Sequence, residues 1–175
     1  MIGIRLSKLK NKTYFNINYM ITTYLFDFSR VLLFPADQIY SGELNQKYKL
    51  IKDLPEFKFQ ENFRLNEELL SYLETIKNSK ELYIFTSGFI QNDSYLQQRL
   101  QPLFKEIFSA GDLGLNKRDL YAYEVIAQKI GKPPSEILFI DDTPSNVEAA
   151  REAGLNGIVY TNFEELKKYM LELSD

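Results

Sequence analysis

A three-layer α/β sandwich of Rossmann-like architecture, built on a central parallel sheet of about five strands, is the fold the sequence predicts. Three apolar runs carry that expectation, at residues 22–26 (TTYLF), 82–85 (LYIF) and 137–140 (ILFI), each of the form taken by central strands buried on both faces. Each run ends on a polar residue, Asp27, Thr86 or Asp141. Helical patterns lie between them, which is the alternation expected of βαβ units.

The elements follow in order along the chain. Residues 1–19 are rich in Lys and Asn and lack periodicity, so they are expected to be a flexible N-terminal extension or an upstream start, with Met20 just ahead of the first strand. Residues 20–175 then form a single domain. Leu65, Leu69, Tyr72, Leu73 and Ile76 make a helical stripe behind Asn66 and the acidic pair Glu67 and Glu68. Weaker strands are expected around 107–109 and 157–160. Leu120, Tyr123, Ile126, Ala127 and Ile130 make a second stripe, closed by Gly131 and Pro133. Thr143 is placed to cap a helix that begins with Pro144 and stops at Gly154. Asn162 and Glu165 open the last helix, striped by Phe163, Leu166, Met170 and Leu173. Open parallel sheets bind ligands at the carboxyl ends of their strands, near the point where strand order reverses, so Asp27, Thr86 and Asp141 should gather there.

Composition restricts what such a site can do. The 175 residues are 45% hydrophobic and 14% aromatic, enough for one buried core. A net charge of -3 from interspersed acids and bases marks no basic face, so neither a nucleic acid nor an anionic membrane is expected as partner. Small molecules or proteins are favoured, and an oligomer is left open. No apolar run reaches the roughly 18 residues of a membrane span, and the N-terminus lacks a secretory apolar stretch, which places the protein in the cytoplasm. With no Cys and no His there are no thiolate nucleophiles, imidazole bases or nitrogen and sulfur metal ligands. Chemistry is left to carboxylates, hydroxyls, Lys, Arg and the backbone, and a metal held by such oxygens would be a hard cation such as Mg²⁺.

Four segments carry that chemistry: YLFDFSRVL at 24–32, LYIFTSG at 82–88, GLNKRD at 114–119 and ILFIDDTPSN at 137–146. Each has a plain reading alone, the DD pair as a helix cap, Thr86 and Ser87 as turn residues, Lys117 as a solvated charge. In this order and at these spacings they resemble the four motifs of the haloacid dehalogenase superfamily, in its subclass I form. The resemblance spans residues 24–157. It implies that Asp27 is the nucleophile and that Mg²⁺ is bound by the Asp27 carboxylate, the backbone carbonyl of Ser29 and Asp142. Asp141 would act through water or hold Lys117, and Asn146 would brace the acidic loop. Thr86 and the amides of Ser87 and Gly88 would cradle the phosphoryl oxygens, as backbone donors beside a helix start do. A carboxylate can approach a phosphoryl group only when cations neutralise both, which gives Lys117 and Mg²⁺ their roles.

Three departures stand out. Phosphatases of this superfamily usually carry a second Asp two residues after the nucleophile as acid and base, and here the position is Ser29. Arg30, where a small residue is common, is either an anion-binding fork or a surface Arg paired with an acid. Residues 33–64 are short for an inserted cap and are expected to be a reduced cap or lid; their Tyr40, Tyr48, Phe57, Phe59 and Phe63 either cover the site or pack a loop onto the core. The expectation is thus a Mg²⁺-dependent phosphatase acting through an aspartyl-phosphate on a small phosphorylated metabolite or a phosphorylated macromolecule. A dehalogenase or phosphonate-cleaving enzyme with the same nucleophile is one alternative, and a catalytically faded domain that binds a phospho-ligand or protein is another.

Overall fold

The computed structural model describes residues 3–9, 12–18 and 20–173. The chain opens with a two-stranded antiparallel ribbon, β1 (Gly3–Leu9) and β2 (Lys12–Asn18), in which Gly3 faces Asn18 and Leu9 faces Lys12. This ribbon is regular backbone where side-chain patterning predicted none, and it adds no strand to the main sheet. There follow β3 (Thr23–Phe26), β4 (Leu33–Pro35), α1 (Leu44–Ile51), α2 (Phe59–Asn62), β5 (Phe63–Leu65), α3 (Glu67–Ile76) and β6 (Glu81–Thr86). A 3₁₀ turn (Ile90–Asn92) leads into α4 (Ser94–Leu100), β7 (Glu106–Ser109), α5 (Ala110–Leu113), α6 (Leu120–Ile130), β8 (Ile137–Asp141), α7 (Pro144–Glu152), β9 (Asn156–Val159) and α8 (Phe163–Glu172).

Five strands form one parallel sheet in the order β7-β6-β3-β8-β9. The chain leaves the central strand β3 toward β6 and β7, then crosses to β8 and β9 on the other side. The reversal of strand order therefore falls at β3, and the register sets Phe26 beside both Ile84 and Ile140.

Side chains alternate across a strand, and the two faces bury separate cores. Tyr24, Phe26, Leu82, Ile84, Leu138 and Ile140 pack with Leu69 and Leu73 of α3, Leu96 and Leu100 of α4, and Leu166 and Met170 of α8. Leu25, Phe85, Ile137 and Phe139 face the other way, onto Ala122, Tyr123 and Ile126 of α6 and Ala149 and Ala150 of α7. These are the three layers the sequence predicts.

Most helix signals act as written. Asn66 Oδ1 accepts the Leu69 N–H, Asn162 Oδ1 accepts that of Glu165, and Gly131 ends α6 in the left-handed region at φ 74°. Leu65 is the exception in its stripe, since it ends β5 and leaves α3 to begin at Glu67. Thr143 occupies the N-cap position of α7 without a side-chain cap; Asp141 Oδ1 instead accepts the Thr143 N–H at 2.8 Å. The 33–64 segment is closed at its base by β4 against β5, with Leu33 opposite Leu65. Its aromatics centre on Tyr48, whose ring lies 5.9, 6.3 and 6.2 Å from Phe57, Phe59 and Phe63, and they join the core. Among the described residues no helix is long and apolar enough to cross a membrane.

Candidate active site

Asp27 follows directly on β3, and its N–H continues the ladder by donating to Ile140 O at 2.7 Å. The chain then turns back sharply, Leu32 and Leu33 N–H both donating to Phe28 O and Arg30 N–H to Leu33 O. Asp27 is thereby fixed at the switch point beside Asp141, the last residue of β8. Lys117 arrives from the loop before α6, where the Tyr123 hydroxyl donates to its carbonyl at 2.8 Å. Its ammonium donates to Asp27 Oδ1 at 2.5 Å and Asp141 Oδ2 at 2.7 Å, and it lies 5.4 and 5.2 Å from the ring centroids of Phe85 and Phe139.

Asp141 is engaged through both oxygens. Its Oδ2 also accepts from Asn146 Nδ2 at 3.0 Å, and its Oδ1 from Thr143 N–H. It therefore holds Lys117 and the start of α7. Asp142 is half-buried, accepts from the Thr143 hydroxyl at 3.4 Å and lines the cleft. One oxygen from each of Asp27, Asp141 and Asp142 falls within 4.8 Å of the others.

Charge accounts for the electrostatics. Burial drives the Asp27 carboxyl up from 3.8 to about 6, with Asp141 and Asp142 adding to the rise and Lys117 opposing it. Asp142 is raised as well, by burial first and then by Asp141. Burial pulls the Lys117 ammonium down, but the charges and hydrogen bonds of Asp27 and Asp141 outweigh it and the group is held above its ordinary value. Three carboxylates thus face one ammonium, with two negative charges uncompensated when all are ionised. An all-oxygen donor set with this surplus fits a hard divalent cation.

A cleft of about 520 Å³ opens over these groups. Of the residues the sequence singles out, Asp27, Ser29, Arg30, Ser87, Lys117, Asp142 and Asn146 line it, while Thr86, Gly88 and Asp141 do not. Thr86 is buried at the end of β6, and its hydroxyl lies 3.5 Å from the Gly88 N–H. Arg30 lines the cleft and is held by backbone carbonyls. It sits in the left-handed region at φ 63°, and its Nη2 donates to Tyr40 O at 3.2 Å and Gly42 O at 3.0 Å. The opposite side of the cleft is made by Ser41, Gly42, Glu43, Leu44 and Asn45. These residues fall in the 33–64 segment expected to be a reduced cap or lid, but none was singled out, because none belongs to a periodic stripe and Asn45 bonds to a loop 44 residues away.

A family model of haloacid dehalogenase-like hydrolases matches residues 25–154. The enolase-phosphatase E1 of Aquifex aeolicus is 34% identical over 139 residues, covering 70% of this chain and 61% of that protein. That of Naegleria gruberi is 28% identical over 134 residues, covering 69% and 53%. The chain therefore spans about six-tenths or less of the length of these curated relatives. Among solved structures, a haloacid dehalogenase family enzyme from Bacteroides thetaiotaomicron, crystallised with magnesium and inorganic phosphate, superposes with a TM-score of 0.62 at 11% identity, covering 83% of this chain and 98% of that one. A hydrolase of the same family from Porphyromonas gingivalis gives 0.62 at 17% identity, covering 88% and 98%. At such identities the likeness is one of fold.

Proposed function

The chain belongs to the haloacid dehalogenase-like hydrolases, and from that premise we propose that it is a magnesium-dependent phosphatase working through an aspartyl-phosphate on Asp27. The observation that carries the proposal is the buried Lys117 bridge to Asp27 and Asp141 beneath a cleft that Asp142 also lines. The word phosphatase in the relatives' name supports a phosphoester over a carbon–halogen bond. The substrate class is a small phosphorylated metabolite or a phosphorylated macromolecule.

Asp27, Asp142 and the Ser29 carbonyl would hold Mg²⁺, which when bound supplies the positive charge that lets two anions meet. Lys117 holds Asp27 through Oδ1, which leaves Oδ2 to attack phosphorus as the ester P–O bond breaks and the leaving group departs as an alkoxide or aryloxide that takes its proton from solvent. Ser87, the member of the Thr86–Gly88 loop that lines the cleft, would receive the phosphoryl oxygens through its amide, with the Thr86 hydroxyl and the Gly88 amide, which bond each other, directly behind it. Water then attacks the phosphoryl group, releases phosphate and restores Asp27. Asp141 remains the fixed anion that keeps Lys117 in place, and Asn146 keeps Asp141 in place.

Ser29 favours a second reading, because a hydroxyl with no adjacent base does not protonate a leaving group or activate water as a carboxyl does. An Asp-nucleophile enzyme for a carbon–halogen or phosphonate bond, or a domain that binds a phospho-ligand without turnover, would tolerate it. Turnover of an aryl phosphate with and without EDTA separates these readings: hydrolysis lost on chelation is expected. Beryllofluoride with Mg²⁺ should also raise the melting temperature by forming an acyl-phosphate mimic on Asp27. Inert phosphate esters and no Mg²⁺-dependent shift would overturn the proposal.

A further inference from the structure

Asn45 stands in the first turn of α1, yet its side chain serves another loop. Its Oδ1 accepts the N–H groups of Phe89 at 2.9 Å and Ile90 at 3.0 Å, 44 and 45 residues further along the chain. These amides open the 3₁₀ turn Ile90–Asn92, whose own N-cap residue, Phe89, provides no side-chain cap. Asn45 therefore does in trans what a capping residue does locally. The other side of the loop is held as well, since Gly88 O accepts from Gln91 Nε2 at 2.7 Å and Ser109 Oγ at 3.2 Å. Gly88 is what permits the approach: a Cβ there would lie 2.1 to 2.2 Å from Cγ, Nδ2 and Oδ1 of Asn45.

Arg30 ties the same strap at its other end through the carbonyls of Tyr40 and Gly42. Residues 40–45 are thus fastened both to the loop that follows Asp27 and to the loop that follows Thr86.

We propose that Asn45 is a positioning residue that latches the 40–45 strap onto the Thr86 loop, so that the phosphoryl cradle and the facing wall of the cleft are set by one contact. The catalytic consequence rests on the phosphatase reading; the latch itself does not. A loop whose donors must meet a transferring group loses rate steeply when it shifts, even by about 1 Å.

The test uses Asn45→Ala, Asn45→Asp, Gly88→Ala and the double variant Asn45→Ala with Gly88→Ala. Hydrogen exchange at Phe89 and Ile90 should speed up by at least about tenfold in Asn45→Ala and stay protected in Asn45→Asp, whose carboxylate accepts the same two bonds. Gly88→Ala should lower the melting temperature in the native background, and that drop should shrink by more than half when Asn45 is Ala. With an aryl phosphate, Asn45→Ala should lower kcat by about tenfold or more with little change in KM, whereas Asn45→Asp should keep kcat and raise KM by repelling the phosphate. Unchanged exchange in Asn45→Ala, or a Gly88→Ala drop equal in both backgrounds, overturns the latch. Native kcat in Asn45→Ala overturns its positioning role. A protein inert toward phosphate esters that still shows the exchange and melting results keeps the latch and sinks the phosphatase reading instead.

Discussion

Lys117 and Asp141 form the innermost ion pair of the cleft, 2.7 Å apart with side-chain exposures of 4% and 0%. Both oxygens of Asp141 are already engaged by Lys117, Asn146 and the Thr143 amide, so the pair is an anchor. Asp27 shares the same ammonium but lines the cleft, and it is the carboxylate that a ligand can reach.

Substitution of Asp27 separates chemistry from folding. Asp27→Asn keeps the shape but makes a poor nucleophile and metal ligand, so hydrolysis should vanish while circular dichroism and cooperative melting persist. Residual turnover in a clean preparation would end the assignment of Asp27.

Removing the lysine should cost stability as well. Lys117→Ala leaves Asp27, Asp141 and Asp142 facing one another without a cation, and breaking a buried pair typically costs about 3–5 kcal/mol. Urea denaturation in EDTA should show a loss of that order, partly recovered by Mg²⁺. A loss below about 1 kcal/mol, within the range of exposed pairs, would mean that the carboxylates do not depend on Lys117.

The metal-free protein should become less stable as pH rises through the Asp27 transition. The Asp27 carboxyl is held at about 6 when folded against 3.8 as the ordinary value, so between these pH values the folded state binds more protons than the unfolded one. Stability therefore falls with rising pH across that window and the loss is complete above it. Asp142, also raised, contributes with the same sign. Denaturation in EDTA at several pH values should show this slope, and Asp27→Asn should flatten it. Equal slopes in the two proteins would refute the buried-carboxyl origin.

On the proposed mechanism, Ser29 would decide how fast the second half-reaction runs. Attack on a good leaving group needs little acid help, whereas hydrolysis of the acyl-phosphate needs a base, so an activated phosphate donor should label the protein faster than it turns over. Ser29→Asp should raise turnover at least about tenfold, most strongly for alkyl leaving groups. An unchanged or lower rate with both alkyl and aryl phosphates, in folded protein, would favour the non-phosphatase reading.

Arg30 permits a test of backbone against side chain. Both Arg30→Ala and Arg30→Gly lose the bonds to Tyr40 O and Gly42 O, but only glycine is at ease at φ 63°. Arg30→Gly should be the more stable of the two by about 1 kcal/mol, read from paired urea melts. The reverse order would show that the left-handed turn does not govern this position.

The sequence by itself determined the sheet and the chemical alphabet. The runs that become β3, β6 and β8 are apolar on both faces, and only a strand covered by helices on both sides tolerates that. The absence of Cys and His left carboxylates, hydroxyls and Lys for chemistry, and the four motif segments set Asp27, Thr86, Lys117 and the Asp141–Asp142 pair in order. The weaker β7 and β9, the helices capped by Asn66 and Asn162, and α6 with its stop at Gly131 were legible because caps and periodicity are local signals. Tertiary structure alone decided which side chain meets which. Asp141 became the anchor and Asp142 the cleft-facing acid because their side chains leave the end of β8 in different directions, which adjacency in sequence does not reveal. Arg30 turned to the carbonyls of the strap, Tyr123 took hold of the Lys117 carbonyl, and Asn45 capped a turn 44 residues away. Such contacts join segments brought together only when both cores are buried, so no local pattern encodes them.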